Sequence, residues 1–455
     1  MVIILAGLLA YVGISYYPYL KKGRVGCGYK AKILCCGVFI SKRNPESVIE
    51  QDLSFHHLFD PIKTEVNLDK KEVEASIFGL VKAKAIHIDK LGSILLSGTD
   101  EENVRSWPVS IPEPEPANPD KVPWPTGDLI FESEHLDEID LSLLDKALDK
   151  AFGEPDPERP RRTRAVAVAY KGDLIAERYA PGFTKDTPLI GWSLTKSIIS
   201  ALVGIRVKQG KLDIYDPAPV PEWQDPDDLR RQITLDHLLR MSSGLEFDES
   251  YASDPLSDVN IMLFTKRDMG AFAASFPLVS EPGTDWAYAS GTTAIIARII
   301  RHSFDDYQEY LSFPRRELFN KTGMRSTIMQ PDASGTFAGP AYATARDWVR
   351  FGLLYLNNGV WEGEKILPSG WVEYTVTPAP ASTREHYGAQ FWLNKTPGDP
   401  LYPGLPPDAF FCRGYQGQSV TIIPSMQLVA VRLGMTTRGG WDTGKFVSDI
   451  IGSIK

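Results

Sequence analysis

The sequence predicts an α+β fold: an antiparallel sheet flanked by helices. Two observations carry this. A β-rich hairpin, residues 165–170 and 174–179 around Lys171-Gly172-Asp173, precedes a buried helix beginning near Leu194. Further β-rich runs, 420–423 and 428–433, return only near the end of the chain, with helical periodicity between. A sheet begun early and completed late has helices packed against it.

Composition sets the frame. The 455 residues are 43% hydrophobic and 24% charged, which suits a globular chain holding one large domain with appendages. A net charge of −9 without a long Lys/Arg tract argues against a nucleic-acid partner. Four cysteines are too few for a disulfide scaffold; for Cys27, Cys35 and Cys36, idle buried thiols and a Cys27 bridge to one of the adjacent pair both fit. No His-Glu-x-x-His, Cys-rich ligand set or phosphate-cradling loop is present, so no metal and no cofactor is expected.

Residues 1–20 read as a membrane anchor. The run is uncharged and mostly apolar, Tyr16, Tyr17 and Tyr19 suit the interface, and no small-residue cleavage site follows. Lys21, Lys22 and Arg24 would hold the downstream chain in the cytoplasm by the positive-inside tendency. A second apolar run, 33–40, is too short to span and predicts a buried strand or helix. Residues 21–106 form a small N-terminal region with strand-like runs at 73–78 and 81–88. Seven prolines between 107 and 127 make a stiff connector, and 128–455 is the main domain.

Within that domain, Leu141, Leu144, Leu148 and Ala151 mark an amphipathic helix over 139–152, and the hairpin follows. Next comes Gly191-Trp192-Ser193-Leu194-Thr195-Lys196, opening an apolar helical run to Ile205. Positions i and i+3 share a helix face, so Ser193 and Lys196 are neighbours. The free N–H groups of a first helical turn favour an oxyanion at Ser193, and an apolar setting for Lys196 favours the neutral amine that can take the serine proton. A Ser-x-x-Lys tetrapeptide also fits an ordinary helix with a solvated lysine; here Lys196 lies inside the apolar pattern. His237 sits in an apolar helix and reads as structural.

Ser193-x-x-Lys196, the G-K-L-D-I-Y-D-P segment from Gly210 and I-T-L-D-H-L-L-R-M-S-S-G-L from Ile233 together resemble the serine β-lactamase and penicillin-binding-protein superfamily. The branch resembled most is that of class C β-lactamase-related esterases and 6-aminohexanoate-dimer hydrolases, over roughly residues 125 to 455. The resemblance implies a β-lactamase/transpeptidase-like sheet with an all-helical subdomain, a serine hydrolase acting on a small-molecule ester or amide through an acyl-enzyme, and an extracytoplasmic location. That location opposes the charge pattern after residue 20. It also implies that Tyr288, in Tyr288-Ala289-Ser290, is general base or proton relay. Ser290 stands where the family usually carries Asn.

Lys321-Thr322-Gly323 matches the family's third motif by letter, but its surroundings, L-F-N-K-T-G-M-R-S-T, fit a helix end with Gly323 as the cap. The better third motif is Gly414-Tyr415-Gln416-Gly417-Gln418-Ser419, leading into the strand at 420. Gly414 and Gly417 allow close approach to the backbone, and the resemblance assigns the N–H of Gln418, with that of Ser193, to an oxyanion hole. Tyr415 replaces the lysine that in β-lactamases holds the substrate carboxylate, so penicillin turnover is not expected to be the main activity. Alternatives are a penicillin-binding or peptidoglycan-sensing module with little turnover, or a β-lactamase.

Overall fold

The structure, a computed structural model, describes residues 2–54, 60–251, 253–396, 398–437 and 439–455, with side chains from residue 19 onward. The expected anchor, 1–20, therefore falls almost wholly outside the described side chains. Among the described residues no helix is long and apolar enough to cross a membrane.

Helix α1 (Val2–Phe39) runs unbroken through residue 20, and from Val25 to its end every residue is buried. The apolar run at 33–40 is the end of this helix. Four antiparallel strands, β1 (Lys63–Asn67), β2 (Glu72–Ile77), β3 (Val81–Ile88) and β4 (Gly92–Leu95), form a sheet in sequence order against α1. Two buried ammonium groups are satisfied by backbone carbonyls: Lys30 donates to Ile62 O at 3.0 Å and Lys32 to Ser93 O. Asp52 accepts from both Arg43 and Arg164, joining this region to the main domain. Cys27, Cys35, Cys36 and Cys412 are all free buried thiols, so the bridge considered from sequence is absent; burial pushes Cys27 up to about 11 and Cys412 up to about 12.

The connector docks on the main domain, where Arg350 donates to the carbonyls of Pro125 and Gly127, each at 2.6 Å. After helix α2 (Leu141–Phe152) comes a six-stranded antiparallel sheet. Its strands are β5 (Thr163–Tyr170), β6 (Asp173–Tyr179), β7 (Trp392–Leu393), β8 (Phe410–Gly414), β9 (Gln418–Ile423) and β10 (Leu428–Gly434), in spatial order β7-β8-β9-β10-β5-β6. The late strand β10 pairs directly with the early β5, Val431 opposite Ala167.

Alternation along β5 shows why both faces are covered. Ala165, Ala167 and Ala169 face a core with α3 (Leu194–Lys208) and a helix at Ala345–Leu356, while Val166, Val168 and Tyr170 face α2 and the C-terminal helix at Thr443–Ile451. Small residues on the first face let helices approach closely: a Cβ at Gly352 would lie 2.5 Å from Val429 Cγ1. Helix α5 (Ser290–His302) packs against α3, and α4 (Asp258–Thr265) packs against α5 and α1. Gly28 of α1 meets α4 so closely that a Cβ would lie 2.2 Å from the Phe264 carbonyl oxygen.

Candidate active site

Ser193 is placed by a turn that few residues tolerate. Gly191 precedes it with no room for a side chain, since a Cβ would lie 2.6 Å from Trp348. Trp192 has φ +49°, a left-handed conformation that costs a bulky residue of order 1–3 kcal/mol. Its indole N–H donates to Gln416 Oε1 at 3.0 Å, which helps hold it there. Ser193 then occupies the cap position of α3 without using its hydroxyl as a cap. The hydroxyl is left to Lys196.

The buried Lys196 Nζ donates to Ser193 Oγ at 3.0 Å and to Ser290 Oγ at 2.9 Å. Ser290 is the first residue of α5. Its N–H donates to one carboxylate oxygen of Glu249 at 2.8 Å and its hydroxyl to the other. An anion at a helix start satisfies an orphan donor there and suits the helix dipole. Burial raises the Glu249 carboxyl above its ordinary range, opposed by the Lys196 charge and the Ser290 hydrogen bonds. Ser193, Lys196, Ser290 and Glu249 thus form one continuous hydrogen-bonded chain.

Tyr288 reaches the same place differently from the expectation of a hydroxyl relay. Its ring face lies 4.9 Å from Lys196 Nζ, and its edge and face contact Tyr387 and Trp392. Among the described residues its hydroxyl makes no hydrogen bond to Ser193 or Lys196.

The third stretch abuts the first. A Cβ on Gly414 would lie 2.3 Å from the Gly191 carbonyl oxygen, so glycine is required where β8 passes the turn before Ser193. Gln416 and Gly417 turn the chain with φ +61° and +79°. The buried Gln418 side chain donates to Gly434 O at 2.6 Å and accepts from Gly434 N at 2.8 Å, fixing the start of β9. Tyr415, in the place of the lysine, stacks at 4.9 Å on Tyr251 and at 5.8 Å against Trp192. Lys321 points elsewhere, paired with Glu364 at 2.7 Å, and Gly323 has the φ of +70° of a helix end. His237 is structural: its Nδ1 accepts from Thr234 N at 3.2 Å in a capping box.

Glu249 and Tyr251 were not singled out from the sequence. They lie in an irregular loop without periodicity, where the one available signal was an acidic residue among aromatic ones, Phe247-Asp248-Glu249-Ser250-Tyr251. Ser193, Lys196, Ser290, Tyr251 and Tyr415 line a chamber of about 50 Å³, and beyond Tyr251 and Tyr415 opens a cleft of about 1430 Å³.

A serine whose hydroxyl is held by a buried lysine, set between an antiparallel sheet and a helical cluster, defines a class of serine-reactive folds. Residues 148–445 match the family model described as Beta-lactamase, and the chain belongs to that family. A 6-aminohexanoate-dimer hydrolase of Paenarthrobacter ureafaciens is 28% identical over 229 residues, which are 46% of this chain and 56% of that protein. The chain thus spans about half the length of this curated relative. Among solved structures, a Bacillus anthracis protein assigned as a 6-aminohexanoate-dimer hydrolase aligns with TM-score 0.56 at 22% identity, covering 74% of this chain and 87% of that one. A D-stereospecific amidohydrolase from Streptomyces sp. aligns with TM-score 0.52 at 15% identity, covering 68% and 98%. At these identities the solved structures bear on the fold alone.

Proposed function

We propose that the chain is a serine hydrolase cleaving an ester or amide through an acyl-enzyme. The observation that carries this is the buried Lys196 nitrogen bonded to both Ser193 Oγ, at 3.0 Å, and Ser290 Oγ, at 2.9 Å. Ser193 Oγ attacks the substrate carbonyl and forms the acyl–oxygen bond. Its proton passes by way of Lys196, with the Tyr288 ring against it, on to the leaving alcohol or amine as the scissile bond breaks. The backbone N–H groups of Ser193 and Gln418 stabilise the oxyanion, a contribution of roughly 3–4 kcal/mol per donor in acyl-transfer enzymes. Water then attacks the acyl carbon, and the same groups return the proton to Ser193.

Ser290, through Glu249, holds Lys196 in place and offers its excess proton an acceptor one hydroxyl away. Amide turnover is consistent with the name of the curated relative. Hydrolysis of p-nitrophenyl esters by the wild type and by Ser193→Ala tests the reading: turnover that depends on Ser193 supports it, and equal turnover by both overturns it. Tyr415 disfavours a β-lactamase, because its ring is committed to the aromatic wall and brings no cation for a β-lactam carboxylate. A tether through residues 1–20 belongs to the same proposal, and alkaline carbonate extraction of membranes holding the full chain tests it.

A further inference from the structure

The cleft beyond the chamber has a chemical character of its own. It runs between α1, the loop after Pro160 and the C-terminal helix, and it ends at Gly414–Gln418, where the expected oxyanion donor lies. Its described walls carry six cations, Lys22, Lys150, Arg159, Arg161, Arg413 and Lys445, against two carboxylates, Asp442 and Asp449. The chain as a whole is the reverse, with 49 Lys and Arg against 58 Asp and Glu. Within the cleft Asp449 pairs with Lys150 at 2.9 Å, and Asp442 caps the C-terminal helix.

Arg413 stands at the inner end. Its guanidinium is held between the rings of Trp392, 4.9 Å away, and Tyr402, 5.4 Å away, and among the described residues it has no ion pair. Trp392 in turn lies 5.4 Å from Tyr288, so Arg413 is separated from the candidate catalytic groups by one aromatic side chain. A guanidinium carries forked donors that match a carboxylate in two parallel hydrogen bonds. Val25, Ile62, Ile77 and Phe264 give the cleft an apolar wall. A volume near 1430 Å³ exceeds the roughly 300–1,000 Å³ of a typical small-ligand pocket, which suits an extended molecule.

We propose that this cleft binds the remote half of an extended substrate that carries a carboxylate, with Arg413 as its recognition residue. The inference rests on the hydrolase reading and names its substrate class. A carboxylate there meets a half-buried guanidinium flanked by aromatic rings, while the chain linking it to the scissile bond lies along the apolar wall.

The test uses two series of p-nitrophenyl or alkyl esters, one with a carboxylate ending the acyl chain and one with it ending the alcohol chain. Each member is matched to its neutral methyl ester. The full-length wild type is expected to show a KM about tenfold lower for the carboxylates of one series, the difference shrinking with added salt. That series identifies the half of the substrate held in the cleft. Arg413→Gln is expected to erase the difference and leave neutral-ester kcat near the wild-type value, with Arg413→Lys restoring part of it. Should the glutamine variant lose neutral-ester turnover as well, competitive inhibition of the wild type by linear dicarboxylates against diols of equal length decides. Stronger, salt-sensitive inhibition by the dicarboxylates supports the inference, and equal inhibition overturns it. Neutral-ester turnover that requires Ser193, with no preference for carboxylates in either series, would refute the cleft assignment while leaving the hydrolase reading intact.

Discussion

Glu249→Gln is the perturbation that probes the site most informatively. In the wild type, Ser290 N–H binds one carboxylate oxygen of Glu249 and Ser290 Oγ–H the other. Glutamine offers one carbonyl oxygen and one amide nitrogen, so one of the two donors then faces a donor. Losing a hydrogen bond to a charged group costs about 1.5–3 kcal/mol, which corresponds to about 10- to 150-fold in rate if it is felt at Lys196. The assay is kcat/KM for a neutral p-nitrophenyl ester across pH. Because burial raises the Glu249 carboxyl above 4.5, the ionised acceptor is lost on the acid side at a pH above that value. The wild-type profile is expected to fall there, and the glutamine variant to lose that limb while its plateau drops. Unchanged rate and an unchanged acidic limb would refute the role given to the Ser290–Glu249 connection. A drop with the limb intact would reduce Glu249 to a packing residue.

Three further outcomes are expected. Gly414→Ala puts a Cβ 2.3 Å from the Gly191 carbonyl oxygen, so β8 must shift by the order of 1 Å next to Ser193; kcat is expected to fall about 100-fold and stability by about 1–3 kcal/mol, read by denaturant titration. Lys321→Ala, in the Lys-Thr-Gly that only resembles a third motif, removes two surface ion pairs, to Glu317 and Glu364, and is expected to leave kcat/KM within about twofold. Burial raises Asp332 from 3.8 to about 6, a shift of about 3 kcal/mol at 1.36 kcal/mol per unit. A carboxyl with a raised folded value favours the fold at low pH and withdraws that contribution as pH climbs from 3.8 through 6. Denaturant titrations at pH 4 and pH 7 should therefore show wild-type stability falling relative to Asp332→Asn by that order, and a constant difference between the two proteins contradicts the shift.

Much of the sheet was legible because its signals are local. The hairpin at 165–179 carries its own turn, and the alternation of alanine with valine along β5 marks two buried faces. The tie between Ser193 and Lys196 was legible for the same reason, being set by helix periodicity within four residues. Glu249 was not, because its partner lies 41 positions away and its loop obeys no period. The posture of Tyr288 was equally hidden: tripeptide spacing indicates the loop, whereas Tyr387 and Trp392 orient the ring. The direction of Arg413 depends on Tyr402 and Trp392, both outside its own strand. The cleft wall made by Tyr29 of α1 and Phe264 of α4 was equally hidden, because the apolar sequence of the first forty residues does not say what they pack against.

The most direct test of the central claim is intact-protein and peptide mass spectrometry of the full-length enzyme quenched with acid during turnover of a slow ester. The expected result is one added acyl group, located on the peptide containing Ser193, absent from Ser193→Ala and accumulating in Glu249→Gln. Steady turnover with no adduct at Ser193, or with the acyl group on another residue, contradicts it.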